Sequence, residues 1–173
     1  DNASRYGAPV GKAAIGGDSM GGHFTAIIAQ EFRKTKPPVL QLMIYPAVDF
    51  LSETPSMHDF ADAWPLTAET VDFFMKQYLP ESVDPSDPRI SPIRTQDLRG
   101  LAPALIYTAG FDMLLDQGHA YAQRLEEAGV KVGYKCFDSL PHGFVAFASA
   151  TPAAEAALRQ IARETAAALK GNR

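Results

Sequence analysis

A short apolar run, GKAAIGG (11–17), passes through a serine flanked by glycines into a segment of a different period. Met20, Phe24, Ile27, Ile28 and Phe32 follow one another at intervals of 4, 3, 1 and 4. Those intervals fit a helix and not a strand. The join is therefore strand, tight turn, helix. The unit recurs along the chain. PPVLQLMIYP (37–46) is a second strand, with proline at both ends, and APALIYTAG (102–110) a third. Leu115, Gly118, Ala122 and Leu125 mark the next helix, ended by Gly129. VKVGYKCF (130–137) alternates as a fourth strand, and PAAEAALRQIARETAAALKG (152–171) is a last helix with Leu158, Ile161 and Thr165 along one stripe. Strands alternating with helices predict an α/β chain, with a mostly parallel sheet and helices on both faces.

Residues 47–102 break the rhythm, with frequent prolines and acids. One helix stands out, over 67–78, with Thr67 as N-cap and Val71, Phe74, Met75 and Tyr78 at i, i+3, i+4 and i+7. An excursion of this length is expected to lie over one end of the sheet as a lid.

Composition excludes several classes. With 173 residues, 46% of them hydrophobic, the chain is sized for one globular domain. No apolar stretch approaches the roughly 18 residues that span a membrane, so stable membrane insertion is not expected. The start, DNASRYGAPV, lacks both an initiator Met and the apolar core of a signal peptide. A net charge of −4 without a basic run argues against nucleic-acid partners. The single cysteine, Cys136, excludes an internal disulfide framework and a cysteine-rich zinc site, and fits a reducing, cytoplasmic setting.

The glycines around Ser19 form G-x-S-x-G (17–21). In a nucleophile elbow the serine occupies a sharp, strained turn between strand and helix, where small flanking residues relieve crowding. The first N–H groups of the helix, Met20 among them, then point at a developing oxyanion. A phosphate loop would require a Gly-Lys pair after the glycines, and no lysine follows. A serine hydroxyl needs a base. His23 sits one turn along the first helix, facing solvent or the lid; His58 lies in the insertion and His119 on a helix. His142, in SLPHGF, follows the fourth strand directly, where the loops at the carboxyl ends of parallel strands converge. The base needs an acid to fix its tautomer. Asp112 follows the third strand and Asp49 the second, with Asp112 preferred; Asp116 lies within the following helix as an N-terminal charge. The chain order Ser, Asp, His is that of the α/β-hydrolase triad. Phe111, Leu114 and Phe144 neighbour these residues and are candidates for an apolar substrate pocket.

GGDSMGG, LMIYPAVD, DPRISPI, LAPALIYTAGFDMLLDQGHAYAQRLEEAGV and PHGF, in that order and spacing, resemble the hormone-sensitive-lipase-like esterases, also called bacterial family IV. The resemblance implies an α/β-hydrolase fold, Ser19 as nucleophile, Asp112 as acid, His142 as base, and a role for 47–90 in the cap. It implies hydrolysis of small-molecule esters without metal or organic cofactor. Met113 departs from the family's usual proline and Met20 from its usual alanine, and the larger Met20 side chain is expected to narrow the pocket mouth. The upstream His-Gly-Gly-Gly-type oxyanion loop of the family has no counterpart in this chain. Residues 1–173 are thus expected to form the carboxyl-terminal part of a hydrolase domain. A strand that is central in such a sheet would then be an exposed edge, open to the missing amino-terminal segment or to a second copy. A serine peptidase of the prolyl-oligopeptidase kind shares the elbow and triad order, and non-catalytic receptors share the scaffold.

Overall fold

The computed structural model describes residues 2–7 and 9–171. Four strands, β1 (Ile15–Asp18), β2 (Gln41–Ile44), β3 (Ala104–Phe111) and β4 (Val132–Pro141), pair in that order as one parallel sheet. β2 occupies only Gln41–Ile44 of its apolar run: Pro37 and Pro38 have no N–H to offer a ladder, and the backbone turns to positive φ at Tyr45. Helices α1 (Met20–Phe32) and α4 (Leu115–Glu127) cover one face, where Ala26, Met43, Ile106, Tyr121 and Leu125 are buried together. Helix α5 (Pro152–Gly171) covers the other through Ala154, Ala157 and Ile161, against Tyr107, Ala109 and Leu140. The chain thus forms three layers, with helices on both faces of the sheet.

Helix α1 stands where its period predicts, but the large residues that revealed it do not face the core. Phe24, Ile28 and Phe32 remain 46%, 40% and 47% exposed, whereas Gly22, His23, Thr25, Ala26 and Ala29 are buried. Small side chains let this helix approach the sheet closely; a Cβ on Gly22 would stand 2.8 Å from Pro46 Cβ. His23, expected toward solvent or the lid, is fully buried.

The insertion divides into two parts. Helices α2 (Pro55–Asp59) and α3 (Ala68–Tyr78) lie toward the carboxyl ends of the strands, and Thr67 caps α3 by accepting the Thr70 N–H at 3.2 Å. The later part is not lid-like. Leu98 and Leu101 are buried in the core beside α1, and Arg33 donates to the carbonyls of Asp97 and Arg99 at 2.7 and 3.1 Å.

Gly17 is the tightest point of the β1–α1 join. A Cβ there would lie 2.5 Å from the Gly21 carbonyl carbon, and neither backbone can yield without moving the turn. At Gly133 the nearest obstacle is only the mobile end of Leu105, at 2.7 Å. Gly17→Ala is therefore expected to cost about 1–3 kcal/mol of stability, as overpacking does, and Gly133→Ala less than half of that. Urea unfolding of the two variants measures the difference.

Candidate active site

Ser19, Asp112 and His142 each follow the carboxyl end of a strand, β1, β3 and β4 in turn, and so emerge on one rim. Ser19 has φ 51° and ψ −118°, a strained conformation for a residue with a side chain. Such backbone costs on the order of 1–3 kcal/mol and persists only when its surroundings impose it. Here the Ser19 N–H donates to the Ile44 carbonyl at 2.8 Å, and the Ser19 carbonyl accepts from the His23 N–H at 3.1 Å. The strand ladder fixes one side of the residue and the helix the other.

The three side chains form a hydrogen-bonded chain. His142 Nε2 lies 3.0 Å from Ser19 Oγ, and Nδ1 lies 2.7 Å from Asp112 Oδ2. Asp112 is 1% exposed, and its Oδ1 accepts the Leu114 N–H at 2.9 Å. A carboxylate can only accept, so the proton belongs on Nδ1 and Nε2 is left to accept from the serine. Met20 opens α1, in the first turn, where N–H groups have no intrahelical acceptor. Among the described residues, no group of three or more His, Cys, Asp or Glu is placed to hold a metal.

A cavity of about 850 Å³ opens beside Ser19. Val71, Phe74 and Met75 of α3 line one wall, and Met113 and Leu114 another. Met20 and Ser19 also line it. Of the three apolar residues picked as pocket candidates, Leu114 alone borders this space. Phe111 follows a break in the β3–β4 register after Ala109 and points outward, 52% exposed, with its ring against Phe60. Phe144 turns inward and packs fully buried on Tyr45 and Phe137.

The remaining candidates have other surroundings. His23 Nδ1 lies 3.0 Å from the Ala47 carbonyl, and burial lowers its pKa against the opposing pull of that bond. Its ring meets Phe24, Phe50 and Tyr78 edge-on, which docks the end of α3 onto α1. His58 is exposed near Glu53, and His119 stacks on Tyr134. Asp116 accepts the Ser56 N–H at 2.8 Å from the first turn of α4. Gln117, singled out by nothing in the sequence pattern, holds the loop after β2 by accepting from the Val48 and Asp49 amides at 3.2 and 3.1 Å. Tyr45 was equally silent, although its ring lies 4.6 Å from that of His142.

Asp49, the rival acid, is bonded to an arginine, a serine and a backbone amide instead of a histidine. Arg94 Nε donates to its Oδ1 at 3.1 Å, and Ser52 and the Leu51 amide also donate to it. Burial disfavours its charge, but the bonds from Ser52, Leu51 and Arg94 outweigh burial and hold the carboxyl below its usual range. With the folded pKa below the unfolded one, the stabilisation is complete above the unfolded value near 3.9 and is lost as pH falls through the folded one. Asp49→Asn is expected to cost about 1–3 kcal/mol at neutral pH, and the gap to wild type should close progressively below about pH 4. Denaturant unfolding as a function of pH reads both effects.

Comparison with known proteins agrees with this architecture. A family model described as alpha/beta hydrolase fold matches residues 1–146. Carboxylic ester hydrolase LipN of Mycobacterium tuberculosis is 44% identical over 83% of this chain and 40% of its own length. Ethyl acetate hydrolase of Pseudomonas putida is 35% identical over 93% of this chain and 52% of its own. EstE1, a thermostable carboxylesterase cloned from a metagenomic library, superimposes with a TM-score of 0.91 at 33% identity, over 98% of this chain and 59% of that one. The chain spans about half the length of the curated relatives it matches. On its sequence, its sheet and the matching family model, the chain belongs to the alpha/beta hydrolase fold family.

Proposed function

We propose that the protein is a carboxylic ester hydrolase acting on small to medium acyl esters through an acyl-enzyme on Ser19. The observation that carries the reading is the relay from Ser19 Oγ through His142 to Asp112, at the edge of an apolar cavity. His142 Nε2 removes the hydroxyl proton as Oγ bonds to the ester carbonyl carbon. The resulting imidazolium is stabilised by the ionised Asp112, which stays ionised. The oxyanion rests on the Met20 N–H. As the tetrahedral intermediate collapses, the carbon–oxygen bond to the alcohol breaks and His142 passes its proton to the departing oxygen. Water then repeats the sequence: its proton goes to His142, its oxygen to the acyl carbon, and the proton returns to Ser19 Oγ as the acid leaves. The cavity volume lies within the range of small-ligand sites, roughly 300–1,000 Å³, and α3 would act as part of the cap above it.

In the same reading, this chain is the carboxyl-terminal part of a longer hydrolase domain, and further oxyanion donors come from glycine-rich chain beyond it. Two features support that part of the proposal. The relatives are about twice as long. Among the described residues β1 is an edge strand, beside the outward Phe24, Ile28 and Phe32 of α1. Parallel strands are ordinarily covered on both faces and along their edges.

In the full-length protein a fluorophosphonate probe is expected to label Ser19, as mapped by peptide mass spectrometry, and Ser19→Ala should abolish labelling. Asp112→Asn should lower kcat on p-nitrophenyl esters by on the order of 10⁴, because it favours the wrong imidazole tautomer. Esters should be turned over and the matching amides not. An unlabelled Ser19, or turnover surviving in Ser19→Ala, would contradict the reading.

A further inference from the structure

Among the described residues, two that are not glycine have positive φ: Ser19 at 51° and Tyr45 at 38°. They are neighbours across the sheet. Asp18 pairs with Ile44 in the β1–β2 register, so Ser19 and Tyr45 each follow the last paired residue of their strand. The Tyr45 N–H continues the ladder to the Tyr107 carbonyl at 2.6 Å, which pins the strained backbone. Strain of this kind gathers where a side chain must be aimed.

The Tyr45 side chain is aimed at His142. It is 1% exposed, and its ring centroid lies 4.6 Å from the imidazole, at an interplanar angle of 53°. Phe144 backs it edge-on at 5.1 Å. The Tyr45 hydroxyl donates to Asp18 Oδ2 at 3.2 Å. Asp18 is the residue immediately before Ser19, and Phe144 lies two residues beyond His142. One side chain therefore touches the nucleophile's turn, the base's loop and the base itself.

We propose that Tyr45 is the positioning residue for the base of this hydrolase, an inference that rests on the serine-hydrolase reading above. Asp112 fixes one ring nitrogen of His142 but leaves the imidazole free to swing about that bond. The Tyr45 ring closes off the swing, so that Nε2 stays at hydrogen-bond distance from Ser19 Oγ. The Asp18 bond and the Phe144 ring hold the Tyr45 ring in place, and through them the x residue of G-x-S-x-G couples the nucleophile elbow to the histidine loop. A ring face beside a transient imidazolium also favours the charged form that the reaction passes through.

The test uses steady-state kinetics of the full-length protein on p-nitrophenyl butyrate, with rates divided by the number of phosphonate-titrated sites. Tyr45→Phe keeps the ring and loses the tether. Its kcat should fall about 3- to 10-fold with KM within about two-fold. Tyr45→Leu should lose about 100-fold in kcat with KM again little changed, since small misplacements of reacting groups cost that much. Asp18→Ala, which removes the acceptor, should match Tyr45→Phe, and the Asp18→Ala/Tyr45→Phe double variant should be no worse than either alone. A role confined to folding would instead lower the titrated fraction and leave the rate per site intact. Where Tyr45→Leu does not fold, the Tyr45→Phe and Asp18→Ala variants decide alone. Wild-type rates per site in those variants, or additive losses in the double variant, overturn the inference while leaving labelled, active wild type and its serine chemistry standing. A wild type that is neither labelled nor active removes both.

Discussion

The hydrogen bond from the Ser19 amide to the Ile44 carbonyl does more than extend a sheet. It carries the parallel ladder one residue past the last regular residue of β1, into a backbone conformation that Ser19 would not adopt unaided. The chain has therefore no freedom to relax the turn without unpairing β1 from β2. Because every strand runs the same way, the loops that follow β3 and β4 surface on that same rim. His142 and Ser19 are 123 residues apart in the chain, yet Nε2 and Oγ are 3.0 Å apart, because the sheet brings the ends of β1 and β4 to one rim.

Much of this was legible in the residue order. Ser19, Asp112 and His142 stand out because each polar group directly follows an apolar run, a position that needs no knowledge of side-chain direction. Thr67 was legible as a cap for a local reason, since its hydroxyl serves an amide three residues on. What failed depended on direction. Phe111 and Phe144 adjoin the relay in sequence, but a register break turns one outward and a tight turn buries the other. The apolar stripe of α1 revealed a helix and pointed the wrong way, because close approach to the sheet selects Gly22, Ala26 and Ala29 over larger side chains. His23 follows from the same packing. It is buried on that inner face, and no helical period built on large residues could place it there.

Gln117, Tyr45 and Arg94 show a second limit. Each meets a partner far away in sequence: Gln117 the Val48 and Asp49 amides, Tyr45 the His142 ring, Arg94 the Asp49 carboxylate. Nothing local marks such residues. Arg94 also sets the two candidate carboxylates apart. Asp49 is consumed by Arg94 and Ser52 and fastens the loop after β2, whereas Asp112 meets a histidine and a backbone amide. The two acids follow adjacent strands and differ only in company.

The account turns on a nucleophile, a base and an apolar cavity acting as one unit. A crystal structure of the full-length protein bearing an alkyl phosphonate tests that most directly. The account predicts phosphorus bonded to Ser19 Oγ, a phosphoryl oxygen at the Met20 amide, His142 Nε2 still within hydrogen-bond distance of a phosphonate oxygen, and the alkyl chain among Val71, Phe74 and Met113. Phosphorus on any other side chain, or an adduct at Ser19 with His142 turned away from it, would contradict it.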